Sequence, residues 1–215
     1  MSPMLPGPDL LIPYLAAVAL IELTPGPNMG YLAIVGSRWG RRAGFATVAG
    51  ITLGLSAYLL AAVAGVAEIV MRLPWLYEAL RWLGAVYLLW LAYETWRDEQ
   101  VRAGVQVAAP KLGLLFLRGL AANLLNPKAA LFYAVLLPGF TNPALGSPAG
   151  QALTLGAIHL AVATMIHVSI VLTASGLHPA ISAWSDTGSD RWLRRAFAVG
   201  LTAIAAWMMW ETRRG

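Results

Sequence analysis

Six apolar stretches, each long enough to cross a bilayer, dominate the chain at about 10–35, 43–71, 75–96, 113–138, 151–177 and 192–210. With a rise of about 1.5 Å per residue, a spanning helix needs about 20 apolar residues, a run that half-buried helices and alternating strands do not show. Charged residues make up only 12% of the 215, whereas 59% are hydrophobic. An ordinary soluble domain carries about 25% charged residues to clothe its surface. A soluble globular domain and a disordered chain are both excluded, and the reading is an all-α polytopic membrane protein with about six transmembrane helices. Segments one, two and five exceed the minimum length, which permits tilt or interruption. Nine Trp and seven Tyr suit interfacial belts. With no cysteine there are no disulfides, thiolate metal sites or thiol catalysis.

The first nine residues hold no Lys or Arg, so the basic start of a cleaved signal peptide is missing and the first span is expected to be retained. Basic residues cluster in three connections: Arg38, Arg41 and Arg42; Arg97, Arg102 and Lys111 with Arg118 just beyond; and Arg191, Arg194 and Arg195. These follow spans one, three and five and therefore share one side. The opposite side holds Arg72, Arg81, Arg213 and Arg214, and the connection from Pro138 to Gly150 has no charge. By the positive-inside rule the dense side is cytoplasmic and both termini lie outside. The net charge of +5 is therefore read as a topology signal and not as a nucleic-acid footprint.

Residues 1–96 and 113–215 each read as a three-span unit, joined by a polar connector at 97–112. An odd number of spans per unit turns the second upside down, giving two inverted three-helix repeats, a plan common among secondary transporters that places the substrate site at the midplane. Helix breakers fall at matching depths. Thr24-Pro25-Gly26-Pro27-Asn28 interrupts span one, and Asn123-Leu124-Leu125-Asn126-Pro127-Lys128 interrupts span four. Proline donates no backbone hydrogen bond and displaces the carbonyl four residues earlier, so Pro25, Pro27 and Pro127 would free those of Ile21, Leu23 and Asn123. Unpaired backbone at membrane depth is tolerated only inside protein or against water, which makes broken helices one and four the best pointer to a site; simple proline kinks are the plainer alternative. Gly26, Gly30, Gly36, Gly40, Gly44, Gly50 and Gly54 give several GxxxG spacings, assigned to close packing of the first two spans.

With these residues in view, the chain resembles the LysE/RhtB family of amino-acid exporters. The resemblance rests on Thr-Pro-Gly-Pro-Asn (24–28), Gly-Arg-Arg-Ala-Gly (40–44), Gly-Ala-x-Tyr-Leu (84–88) and Asn-Pro-Lys-Ala-Ala-Leu-Phe (126–132), running on to Leu-Pro-x-Phe (137–140). It covers nearly the whole chain. The paired Pro-Gly-Pro and Asn-Pro-Lys signatures are specific, while spans five and six match mainly by position. Gly139 stands where many relatives carry Gln, and Glu22 lies outside the general motif. The resemblance implies export of amino acids and related small metabolites from the bacterial inner membrane, driven by the proton gradient, with no cofactor.

Glu22 lies near the middle of span one, one turn before the break, where an acid is costly enough to suggest a role: proton exchange, or pairing with a substrate ammonium; a neutral structural Glu is the alternative. Lys128 follows the second break and can pair with Glu22, meet a substrate carboxylate, or snorkel to an interface. Asn28, Asn123 and Asn126 can cap the half-helices and also line a site. The half-helices after Pro27 and Pro127 present positive dipole ends suited to a carboxylate. His159 and His167 in span five lie about 80° apart around a helix, which is not metal-ligand spacing. They suit interhelical hydrogen bonding or a proton relay. Arg118 reads as a cytoplasmic anchor, and Glu94 and Glu68 as interfacial.

The candidate substrate site is thus Glu22, Thr24, Pro25, Gly26, Pro27, Asn28, Asn123, Asn126, Pro127 and Lys128, with Glu22, His159 and His167 for proton coupling and no metal. Substrate, proton and lipid bilayer are the expected partners, and GxxxG surfaces also allow a homo-oligomer. A channel or a structural assembly subunit is the competing reading. A membrane enzyme fits less well, since Ser56 and Ser169 have no recognisable catalytic partner.

Overall fold

The structure is a computed structural model and describes residues 8–24, 26–65, 73–97, 110–179, 195, 196, 198–203 and 206. Among them there is no strand. Among the described residues the long helices are α1 (Pro8–Leu23), α2 (Pro27–Val63), α3 (Pro74–Arg97), α4 (Leu112–Leu124), α5 (Pro127–Gly139) and α6 (Pro148–Gly176), and 198–203 is also helical. Most of the 97–112 connector, Pro25, Glu68, the side chain of Glu94, and most of the sixth apolar stretch with Arg191 and Arg194 lie outside the described residues.

Both proline breaks form where the sequence places them. Leu23 ends α1, and the chain restarts at Pro27 after an extended Gly26. Leu124 ends α4, and the chain restarts at Pro127 after an extended Asn126. Proline at the first position of each new helix is favourable, because its missing N–H would be unpaired there anyway. The axis bends by 52° between α4 and α5. Gly40, at φ +75° and ψ −171°, divides α2 into Pro27–Trp39 and Arg41–Val63. A left-handed φ is cheap only for glycine, so Gly40 lets the chain reverse between arms that a side chain would keep in line. Residues 27–39 and Pro127–Gly139 form half-helices of equal length, each starting with proline after an extended residue.

By length and apolarity, α2 and α6 can each cross a membrane, and the bent pair α4–α5 makes a third candidate; Leu10–Leu23 and Trp82–Tyr93 are shorter apolar helical stretches. Large apolar side chains point outward, Leu20 at 71% and Met165 at 61% exposure, while Glu22, Asn28, Asn123, Asn126, His159 and His167 are buried. Large apolar side chains on the outside with polar ones buried inside are what a hydrocarbon surround demands.

One apolar core joins α1, α2, α5 and α6 through Tyr14, Val18, Ile51, Leu55, Phe132, Tyr133 and Leu155. Another, around Tyr31, Val35, Leu88, Leu91 and Leu115, joins α2 to α3 and α4. The glycines correct the expectation drawn from their spacing. Gly36, Gly44, Gly50 and Gly54 do not pack the first two spans on each other. A Cβ at Gly36 or Gly44 would press on Val171 and Ala174 of α6, and one at Gly50 or Gly54 would meet Phe116, Leu120 and Asn123 of α4. Small residues bring α2 backbone to backbone with the second half of the chain, because that interface carries the buried polar groups.

Candidate functional site

The two breaks meet. Asn28 Nδ2, in the first turn after Gly26, donates to Asn123 Oδ1 in the last turn of α4 at 2.8 Å. In the reverse direction, Lys128 Nζ, in the first turn after Asn126, reaches the Thr24 carbonyl at 2.7 Å. Each half-helix start is thus tied to the end of the helix preceding the other break. Lys128 spans the seam instead of snorkelling outward.

The carbonyls satisfied around the breaks are not those that proline geometry alone predicts. Asn123 O accepts from Asn126 N at 3.0 Å, closing the turn. The groups satisfied from elsewhere are one residue further on: Thr24 O, by Lys128, and Leu124 O, by the Tyr58 hydroxyl at 2.7 Å. The Thr24 hydroxyl turns back on Leu20 O at 2.8 Å. Of the three asparagines, Asn126 caps α5, accepting from Lys128 N at 3.0 Å. Asn28 and Asn123 depart from the capping expectation, because their side chains are spent on each other across the seam.

Beside the seam lies a hydrogen-bonded chain. Glu22 Oε1 is 3.2 Å from His159 Nε2, and His159 Nδ1 is 3.0 Å from the Tyr133 hydroxyl. The imidazole stacks on Phe132 with ring centroids 3.5 Å apart. A widened π turn covers Phe132–Leu136, and Phe132, Tyr133 and Ala134 on it are all buried. Tyr133 also stacks on Tyr58 at 6.2 Å. Sequence reasoning missed Tyr133, Tyr58 and Phe132. Only the position of Phe132 and Tyr133, directly after Asn-Pro-Lys-Ala-Ala-Leu, could have drawn attention to them.

Between these groups is a cavity of about 20 Å³, room for about one water molecule. Glu22, Gly26, Asn28, Asn123, Asn126, Lys128, His159 and His167 line its polar part, and Ile21, Met29, Leu55, Ala129 and Phe132 its apolar part. Of the expected site residues, Thr24, Pro27 and Pro127 shape the breaks without lining the cavity. His159 uses both ring nitrogens between helices, whereas His167 Nδ1 is buried without a hydrogen-bond partner. Asn28 Oδ1 and Asn123 Nδ2 are likewise unpartnered. Gly54 makes room for Asn123, since a Cβ there would sit 2.6 Å from Asn123 Nδ2. Arg118 lies with its guanidinium 5.9 Å over the Trp90 ring.

Apolar helices facing outward, two broken helices and a buried polar cavity where the breaks meet define a helical membrane protein with a polar cavity inside its bundle. Residues 19–212 match the LysE type translocator family, and the chain belongs to that family. It is 34% identical over 165 residues to the leucine efflux protein of Klebsiella pneumoniae, covering 74% of this chain and 76% of that protein. It is 31% identical over 173 residues to the homoserine/homoserine lactone efflux protein of Salmonella typhimurium, covering 80% and 81%. No solved structure matches.

Proposed function

We propose that this chain exports an amino acid or a similar small zwitterion across the bacterial inner membrane, coupled to proton entry, through the cavity where the breaks meet. The observation that carries the reading is that cavity: a carboxylate, an ammonium and several amides converge there inside an apolar bundle, where uncompensated polar groups are expensive. The efflux proteins it resembles supply the direction and the substrate class. The full architecture proposed is six spans in two inverted halves, 1–96 and 113–215 about a cytoplasmic 97–112 connector, with both termini outside. The equal half-helices after Pro27 and Pro127 support it.

The cavity is too small for an amino acid, so substrate entry must part the seam. Parting releases Lys128 from Thr24 O, freeing its ammonium for the substrate carboxylate and the carbonyl for the substrate ammonium, which also meets Glu22. Glu22 and His159 couple the proton. While Glu22 is ionised it only accepts, so His159 Nε2 donates to it and Nδ1 accepts from Tyr133. Once Glu22 takes a proton it donates to Nε2, and the ring tautomer and the Tyr133 bond reverse together. Proton uptake removes the charge that holds the substrate ammonium and so links proton entry to substrate release.

The test is counterflow in proteoliposomes with L-leucine and L-homoserine, with and without an imposed pH gradient. Saturable exchange accelerated by the gradient is expected, with gradient sensitivity lost in Glu22→Gln. Exchange by Glu22→Gln that responds to the gradient as fully as the unmodified protein removes Glu22 from coupling; unsaturable flux would instead favour a channel.

A further inference from the structure

Away from the breaks, an open groove of about 540 Å³ runs between α2 and α6. Phe45, Val48, Ala49, Thr52, Leu53 and Ser56 line it from α2, at spacings of three and four residues that keep them on one helix face. Thr164 and Val168 line it from α6. It lies between two close approaches of these helices, where Gly44 meets Val171 and Gly156 meets Leu59. Its hydroxyls are already used: the Oγ1 atoms of Thr52 and Thr164 are 3.2 Å apart, and Ser56 donates to Thr52 O at 2.8 Å. What remains for an occupant is apolar contact, with Phe45 and Leu53 exposed. Three and four residues back from Phe45, the same face reaches Arg42 and Arg41. Both are exposed, and among the described residues neither pairs with a carboxylate. The groove therefore has an apolar body and, just after Gly40, a cationic end.

From Phe45 to Ser56 the helix rises about 16 Å, half of a hydrocarbon core about 30 Å thick. That is the depth of one leaflet. We infer that the groove holds an acyl chain of an anionic phospholipid whose phosphate is bound by Arg41 and Arg42. Guanidinium groups match phosphate oxygens in forked pairs, and basic residues beside grooves between membrane helices favour anionic headgroups. A zwitterionic headgroup adds an ammonium that two arginines repel. A second copy of the chain fits worse: a two-fold axis along the membrane normal would set four arginines at one level, a like-charge contact. Bound in the groove, the lipid fastens the arm of α2 beyond Gly40 to α6. The site is independent of what the central cavity carries.

The experiment is native mass spectrometry of the full chain in detergent, titrated with palmitoyl-oleoyl phosphatidylglycerol or with the phosphatidylcholine of the same chains, which reads bound lipid and oligomeric state together. At least about ten-fold tighter binding of phosphatidylglycerol is expected, the scale set by two arginines at an anionic headgroup. Arg41→Gln with Arg42→Gln should bring the two lipids level. Ala49→Trp fills the groove from an exposed position and should weaken phosphatidylglycerol binding with both arginines in place; if the arginine variant does not insert, this one decides. Glycerophosphoglycerol, the headgroup without chains, should not displace the lipid at equal concentration. Equal binding of the two lipids by the unmodified protein overturns the site, as does a preference that survives either variant. Displacement by the free headgroup reduces the site to a phosphate site and overturns the groove. A dimer that Ala49→Trp dissociates assigns the groove to a second copy and overturns the lipid.

Discussion

Gly50→Ala tests the packing on which the site depends. The added methyl would fall on the Phe116 carbonyl oxygen and 2.8 Å from Leu120 N, both backbone atoms of α4. No rotamer change relieves a clash with backbone, so the helices must separate, by about 1.5 Å to restore ordinary contact. The crossing is reciprocal, because a Cβ at Gly119 would in turn strike the Thr47 carbonyl. Overpacking of this kind costs about 1–3 kcal/mol, and a gap of 0.5–1 Å forfeits roughly a quarter to a half of each lost contact. The same separation stretches the 2.8 Å Asn28–Asn123 bond beyond useful length. Thermal unfolding in detergent should lose several degrees, on a scale of about 2–4 °C per kcal/mol for a chain of this size. Counterflow should fall with it. Gly113→Ala, with nothing within 4 Å of the new methyl, is the control and should be neutral or slightly stabilising. A Gly50→Ala protein as stable and active as Gly113→Ala would refute the close crossing.

Lys128→Met keeps an unbranched side chain, one heavy atom shorter, but removes its bond to Thr24 O. Leaving that carbonyl unpaired costs about 1–3 kcal/mol, and exchange should fall at least about ten-fold, read as KM and kcat in counterflow; unchanged kinetics would strip Lys128 of its role at the seam. Tyr14→Phe removes a hydroxyl that donates to Leu155 O at 2.5 Å from a fully buried ring, tying α1 to α6. It should cost about 1 kcal/mol in thermal stability while the Glu22–His159 contact and the pH-gradient response survive. A variant that loses its gradient response without losing stability would show instead that Tyr14 belongs to the coupling chain.

The local elements were legible because single residue types dictate them. Proline at 27 and 127 starts a helix and ends whatever precedes it, whichever helices lie alongside, and an acid at position 22 among apolar residues has few uses. The pairing of elements was not legible. GxxxG spacing shows that a helix approaches another closely but not which one, so Gly50 and Gly54 were assigned to the neighbouring span although they meet α4. For the same reason the sequence offered Lys128 two partners and an interface, none of them the Thr24 carbonyl it reaches. Tyr133 stayed hidden because nothing in Phe-Tyr-Ala-Val-Leu says which of its residues faces His159 of another helix.

The central claim is that substrate occupies the cavity where the two breaks meet. The chain contains no cysteine, so a single one can be placed without background. Met29→Cys puts a thiol on the half-buried cavity wall, and Leu145→Cys puts one in the exposed turn Pro143–Leu145. The rate of modification by a small methanethiosulfonate reagent, with and without saturating transported amino acid in proteoliposomes, is the measurement. Substrate should slow modification at position 29 several-fold and leave position 145 unchanged. Equal rates at position 29 with and without substrate, in protein that still exchanges it, would place the substrate somewhere other than the meeting of the breaks.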